Sequence, residues 1–190
     1  MEYVLMFIAA VFVNNVVLAQ FLGICPFMGV SKKMSTATGM GAAVVFVLSI
    51  AVIFTFLLQK FLLDPFGLSF MQTVVYILVI ASLVQLIEII LKKVSPPLYQ
   101  ALGVFLPLMS TNCCILGVAI LVIQKDFNLL QSIVYAASTA IGFALALIIF
   151  AGIREQLEMT RVPEVMKGSA INLITAGLLA MAFMGFSGVV

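Results

Sequence analysis

Residues 16–31, Val16-Val17-Leu18-Ala19-Gln20-Phe21-Leu22-Gly23-Ile24-Cys25-Pro26-Phe27-Met28-Gly29-Val30-Ser31, carry no charge and stop at Lys32-Lys33, yet they hold two glycines and a proline around a cysteine. A second stretch has the same character: Pro107-Leu108-Met109-Ser110-Thr111-Asn112-Cys113-Cys114-Ile115-Leu116-Gly117. Proline removes a backbone donor and crowds the preceding turn, and glycine opens dihedrals closed to other residues, so both stretches are expected to unwind locally within otherwise helical segments. Extended backbone would carry Cys25 further from Lys32 than a helix does, inward toward Cys113.

The rest of the chain says where those breaks lie. Of 190 residues, 65% are hydrophobic and 8% charged, with 9 Lys+Arg, 7 Asp+Glu and no His. Soluble domains carry roughly 25% charged residues. A mean hydropathy of +1.33 excludes a water-soluble fold and identifies an all-α integral membrane protein. The net charge of +2 is scattered over loops and makes no basic patch, which argues against nucleic-acid binding.

The charges leave six uncharged runs, 3–31, 34–59, 65–87, 94–124, 127–153 and 168–190. Each exceeds the roughly 20 apolar residues that cross a bilayer as a helix, so six transmembrane helices are expected, the first and fourth interrupted. Turn residues divide them at Ser31 to Thr38, Leu63-Asp64-Pro65-Phe66-Gly67, Ser95-Pro96-Pro97, Lys125-Asp126-Phe127-Asn128 and Arg154 to Lys167. Lys32, Lys33, Lys92, Lys93, Arg154, Arg161 and Lys167 fall in alternate loops, against Lys60 and Lys125 on the other side. Basic residues resist translocation, so both termini are expected on the non-cytoplasmic side of a cytoplasmic (inner) membrane. The first run lacks a basic n-region and a small-residue cleavage site and is read as a retained span.

Run lengths of 29, 26 and 23 are followed by 31, 27 and 23. Sliding the second half back by 88 positions pairs Cys25 with Cys113, Gly29 with Gly117 and Val30 with Val118, a shared Cys-x-x-x-Gly-Val. Residues 1–93 and 94–190 are therefore read as two three-helix repeats. Three is odd, so the copies are inverted, and such architectures place functional groups near mid-membrane on interrupted helices.

Two thiols in such a setting have several readings. A disulfide needs no unwound setting, and a closed zinc site wants four Cys or His ligands. Two thiolates make half of a 2Fe-2S site, which a second subunit with two more cysteines would complete. Cysteine is also a small, readily buried apolar residue, so plain packing accounts for both as well. Cys114 projects about 100° from Cys113 on a helix and is read as core. Asn112 precedes Cys113 and is read either as a hydrogen-bond donor to cluster sulfur or as a helix-packing residue. Asn14 and Asn15 are read as packing residues, and Gln20, Gln85 and Asn172 should face other helices. Glu88 is the carboxylate closest to a span interior and is the ion-path candidate, although Lys92 four residues later is placed to pair with it. No nicotinamide or flavin motif is present.

Asn14-Asn15-x-Val-Leu, Phe21-Leu22-Gly23-x-Cys25-Pro26-Phe27-Met28-Gly29-Val30-Ser31-Lys32-Lys33, Leu102-Gly103-x-Phe105-Leu106-Pro107-Leu108, Thr111-Asn112-Cys113, Ile153-Arg154-Glu155 and Ala182-Phe183-Met184-Gly185-Phe186-Ser187-Gly188 resemble the Rnf/Nqr family of six-helix electron-transport subunits. The resemblance runs essentially end to end, and Cys25-Pro26-Phe27-Met28-Gly29 favours the Rnf branch over the sodium-pumping NADH:quinone reductase branch. It implies pairing with an oppositely oriented homologous subunit, each chain giving two cysteines, here Cys25 and Cys113, to a membrane-buried 2Fe-2S cluster. Cys114 departs from the family's commoner Thr-Asn-Cys-Ala. The resemblance further implies a subunit not catalytic alone, in a complex that passes electrons between ferredoxin and NAD through flavins and iron-sulfur centres on other subunits while moving Na+ or H+. The rival is a small inverted-repeat solute or ion transporter whose cysteines only pack.

Overall fold

A computed structural model describes residues 2–67, 69–94, 99–100, 106–160 and 168–185. In chain order the helices are α1 (Glu2–Ile8, continued by a π turn Ala9–Val13), α2 (Ile24–Val30), α3 (Met34–Leu58, continued by a π turn Gln59–Leu63), α4 (Asp64–Phe66), α5 (Gln72–Val94), α6 (Leu106–Ser110), α7 (Cys113–Gln124), α8 (Leu129–Met159) and α9 (Ser169–Met184). Among the described residues there is no strand. The expected turn at Ser95-Pro96-Pro97, the charges Arg161, Glu164 and Lys167, and residues 101–105 of the fourth run lie outside the described residues.

Among the described residues, four helical stretches are long and apolar enough to cross a bilayer: Met34–Leu63, Gln72–Ile90, Pro107–Gln124 and Leu129–Met159. Tyr3–Val13 and Ser169–Met184 are apolar but shorter. The first run is short for a physical reason: it is split into α1 and α2 by ten irregular residues, Asn14 to Gly23. Among its described residues, the fourth run is split at Thr111-Asn112. Both interruptions are expected from the sequence, at slightly different places. The backbone from Ile24 to Val30 is helical and the break precedes Cys25, not surrounds it. Pro26 is tolerated there because it sits in the first turn, where a helix has no partner for its N–H. Cys25 is thus presented on a helix, and it is Gly23 that reaches inward.

The antiparallel pair α3 and α8 forms the core and packs more extensively than any other pair. Ala37, Met40, Val44, Leu48 and Ala51 on α3 and Ala136, Ala140, Phe143, Leu147 and Phe150 on α8 are all buried, a three-and-four spacing that gives each helix one continuous inner stripe. Small residues let the backbones approach: a Cβ on Gly41 would lie 2.9 Å from that of Ala144. Helix α5 covers α3 with Tyr76, Ile80, Val84 and Ile87, while Val74, Ile77, Leu78, Leu86, Ile89 and Ile90 face outward, which hydrocarbon satisfies and water does not.

The two ends of the bundle separate as the charge pattern requires. Arg154 hydrogen-bonds Ser31 at one end, which brings the first loop and the end of α8 together. At the other end Gln59, Lys60, Asp64, Asp126 and Asn128 line a cavity of about 280 Å³. Tyr76, near the start of α5, donates to Gln59 at 2.9 Å. Helix α5, roughly 34 Å long at about 1.5 Å per residue, then carries Lys92 and Lys93 to the Arg154 end.

The close approach of Gly41 and Ala144 makes a direct test. Gly41→Val should destabilise the detergent-solubilised chain by about 1–3 kcal/mol, and Ala144→Gly in the same chain should recover part of that loss. Thermal unfolding of the single and double variants checks it, and strict additivity would contradict the contact.

Candidate functional site

The break in the first run needs its backbone groups satisfied without water, and Asn15 does this. Its side-chain nitrogen donates to the Gly142 carbonyl of α8 at 2.8 Å and to the Val11 carbonyl at 3.1 Å, and its oxygen accepts from Val17 N–H at 3.1 Å. The residue is 1% exposed. Gly142 permits the approach, since a Cβ there would stand 3.2 Å from the Ala10 oxygen and from the Val11 Cα. Asn14, by contrast, is exposed.

At the far end of the break, Gly23 caps α2 with φ of +81°, a left-handed conformation that costs side-chain-bearing residues about 1–2 kcal/mol. A Cβ there would also meet Phe143 at 2.8 Å and the Cys114 Cβ at 3.1 Å. Its N–H donates to the Cys113 sulfur at 2.9 Å. The residue two before Cys25 thus lies on the sulfur of Cys113, and the structure brings the two cysteine segments together. Phe143 sits midway along α8, roughly 21 Å from its start and 24 Å from its end, so the meeting point is near the centre of the bundle's long axis.

Asn112 starts α7 on the other side. Its backbone is extended and its side-chain oxygen accepts from Cys114 N–H at 3.0 Å. The side-chain nitrogen of Asn112 is buried and has no hydrogen-bond partner among the described residues, which is costly unless another group supplies an acceptor. Asn112, Cys113 and Thr111 line one wall of an apolar cavity of about 320 Å³, with Ile77, Ile80 and Ala81 of α5 forming the other. Crossed packing closes the site: Leu22 covers Gly117, where a Cβ would collide with it, and Leu108 lies 3.5 Å from a Cβ position on Gly29.

The three thiols separate cleanly. Cys25 and Cys113 are exposed at the surface of the chain, whereas Cys114 is fully buried behind the Asn112 cap. Cys114 is a core residue, as read from the sequence. Among the described residues, no group of three or more Cys, Asp or Glu side chains is clustered as a metal site. Two sulfurs from one chain are at most half of one.

Glu88 is not part of this assembly. It lies seven residues beyond Ala81 on α5, about 10 Å along the axis. Tyr99 donates a hydrogen bond to its carboxylate at 3.5 Å, and the Lys92 ammonium stands 5.7 Å from the Tyr99 ring centroid, so both charges share one aromatic neighbour.

Arg154 has a larger structural role than its position in a charged loop motif indicates. Its guanidinium donates to the Met28 carbonyl at 2.8 Å and to the Ser31 hydroxyl at 3.1 Å. The signal in the sequence is a single Arg one turn beyond Phe150 at the end of an apolar run, and nothing in it points to Met28.

A family model described as "Rnf-Nqr subunit, membrane protein" matches residues 3–190. The chain belongs to the Rnf-Nqr family of membrane subunits. It is 54% identical over 188 residues to the A-type subunit of the Na(+)-translocating ferredoxin:NAD(+) oxidoreductase complex from Acetobacterium woodii, covering 99% of this chain and 98% of the relative. It is 56% identical over 186 residues, 98% and 96% of the two chains, to the A-type subunit of the ion-translocating oxidoreductase complex from Syntrophotalea carbinolica. With the counterpart of that subunit in the ion-translocating oxidoreductase complex of Yersinia enterocolitica, the identity is 53% over 189 residues, 100% and 98% of the two chains.

The burial difference among the thiols sets an expected outcome. N-ethylmaleimide added to the detergent-solubilised single chain should label Cys25 and Cys113 at least tenfold faster than Cys114, as read by peptide mass spectrometry. Equal labelling of Cys114 would contradict the packing.

Proposed function

We propose that this chain is the A-type subunit of an ion-translocating ferredoxin:NAD+ oxidoreductase complex, and that Cys25 and Cys113 supply half of the ligands of a 2Fe-2S cluster. An oppositely oriented homologous subunit gives the other two. In this reading the chain is two inverted three-helix repeats in a bacterial or archaeal cytoplasmic membrane, its termini on the non-cytoplasmic side, with flavins and further iron-sulfur centres on other subunits of the complex.

One observation carries the proposal: a backbone donor sits on the sulfur of an exposed thiol, with an unpaired buried amide on the next residue. The Gly23 N–H is on the Cys113 sulfur, and the buried side-chain nitrogen of the adjacent Asn112 has no acceptor among the described residues. Sulfide or thiolate sulfur of a bound cluster would satisfy that nitrogen. The donor set therefore fits such a group, and it fits a purely packing role poorly, because a packing Asn would not retain an unpaired buried amide.

Cys25 and Cys113 would hold the cluster's iron as thiolates, and the group would supply one-electron transfer there. The Gly23 N–H stabilises negative charge on the Cys113 sulfur, and the Asn112 amide would do the same for an adjacent sulfur, so both favour the reduced state, which carries one more negative charge. Asn15, Leu22 and Leu108 pack against Gly142, Gly117 and Gly29 and so hold the two breaks in place. The sequence holds no nicotinamide or flavin motif, and in this reading hydride and flavin chemistry belong to the partners.

Co-purified with its homologous partner, the protein should contain iron and acid-labile sulfide in equal amounts. Cys25→Ala and Cys113→Ala should each abolish both together with the EPR signal of the reduced pair, while Cys114→Ala should keep them. Retention of metal in either of the first two variants overturns the proposal. Asn112→Leu should leave the metal bound and move its midpoint potential to more negative values.

A separate outcome concerns Glu88. Glu88→Gln should lower the number of ions moved per electron in proteoliposomes of the whole complex if this carboxylate lies on the ion path. Unchanged translocation rejects that role and leaves the cluster assignment untouched.

A further inference from the structure

Helix α2 has seven residues, well below the roughly 12–15 that an isolated helix needs in water. Its position, and that of Cys25 on it, is therefore set by what grips it from outside. Gly23 anchors the N-terminal end against Phe143 and Cys113. Phe27, 1% exposed, stacks on Phe150 of α8 with ring centroids 4.4 Å apart and planes inclined by 24°. One turn along the same face of α8 stands Arg154, whose guanidinium donates to the Met28 carbonyl at 2.8 Å and to the Ser31 hydroxyl at 3.1 Å. Ser31 is fully buried, so the guanidinium crosses from the end of α8 into the base of α2. Carbonyls in the last turn of a helix have no partner within it, and a cation at that end both satisfies one and complements the helix dipole.

We propose that Arg154 is the positioning residue for Cys25: it fixes the C-terminal end of α2 against α8, and so holds the Cys25 side of the metal centre at a set place and potential. The proposal rests on the cluster reading above. Met28 is three residues, about 4.5 Å along the axis, from Cys25. Loss of the Arg154 contact releases the C-terminal end of this short helix, leaving it held by Gly23 and Phe27. The half-buried positive charge, held in a low-dielectric setting by Met28 and Ser31, also favours the extra negative charge of the reduced centre. Both effects vanish together in Arg154→Met. Arg154→Lys keeps the charge, but its ammonium ends one bond short of the single Nη1 that donates to both acceptors. Ser31→Ala keeps the Met28 bond and removes only one of the two acceptors.

The test uses the co-purified pair of homologous chains. Arg154→Met should lower the midpoint potential of the centre, shifting the oxidised-to-reduced ratio at fixed potential by about threefold to tenfold, tenfold being 59 mV for one electron. It should also speed hydrogen exchange in peptides spanning residues 24–31 without changing exchange in the α3–α8 core. Arg154→Lys should restore most of the potential but not the protection, and Ser31→Ala should show a smaller loss of protection. A merely structural arginine would instead loosen α3 and α8 along with α2. Wild-type potential and wild-type α2 exchange in Arg154→Met would overturn the inference. If that variant does not assemble, unchanged exchange in both Arg154→Lys and Ser31→Ala overturns it equally. Absence of iron from the wild-type pair would sink the cluster reading alone, since the α2 exchange data still decide whether Arg154 grips that helix.

Discussion

A helix interrupted inside hydrocarbon exposes backbone donors and acceptors that water cannot reach, each costing several kcal/mol if left alone. The architecture around Cys25 and Cys113 is largely a solution to that cost. Asn15 supplies three hydrogen bonds where α1 ends, one of them across to Gly142. Asn112 accepts the first free N–H of α7 with its side chain, while its own carbonyl accepts from Ile115 and Leu116. Gly23 directs its N–H from a left-handed turn to a sulfur of the other half. Breaks whose groups are satisfied in this way persist as fixed features of the fold, and a thiol at such a break is held in place by the same bonds.

Helix α8 is the element against which these solutions are built. Gly142, Phe143, Phe150 and Arg154 meet, in order, Asn15, Gly23, Phe27 and the pair Met28 and Ser31. The broken segment of the first half is thus splinted along its length by an unbroken helix of the second half. At 31 residues α8 is longer than a span requires, and the excess turns at its end carry Arg154 to the base of α2. The two halves consequently cannot fold as independent units at this point, because α1 and α2 have too few internal contacts to hold their own break.

Much of this was legible in the sequence for simple reasons. Charge is so scarce that the uncharged runs locate the four long apolar helices, although these continue past Lys60, Glu88 and Arg154, and Arg154 and Ser31, from two loops read on one side, meet in the structure. Cys25, Cys113 and the neighbouring glycines and proline announced the two breaks. The location of the first break was not legible, because Pro26 looks like a breaker in any segment and becomes harmless only in a first turn, which depends on where α2 starts. That start is fixed by Gly23 lying against Phe143, 120 residues away. The role of Arg154 was hidden for the same reason: its partners are a backbone carbonyl and a serine hydroxyl, neither of which has a compositional signature. Among the polar residues of the spans, Asn15 and Asn112 could be picked out as needing partners, but their partners could not.

The duplicated pattern of the sequence does not extend to the chemistry of the two sulfurs. Gly23 donates to Cys113, whereas the residue at the matching position of the second half, Thr111, gives its N–H to the Pro107 carbonyl of its own turn. The first break takes ten residues and the second two. Cys113 therefore has a backbone donor on its sulfur and a free amide beside it, while Cys25 sits on a short helix whose fixed charge lies at the opposite end, on Arg154. Negative charge at the Cys113 sulfur is stabilised by short-range hydrogen bonds, which geometry controls tightly. At Cys25 it is stabilised by a more distant cation, which acts over many ångströms and tolerates small displacements. Two cysteines that are equivalent by sequence are thus inequivalent by environment, one beside a backbone donor and a buried amide, the other on a short helix braced at its far end.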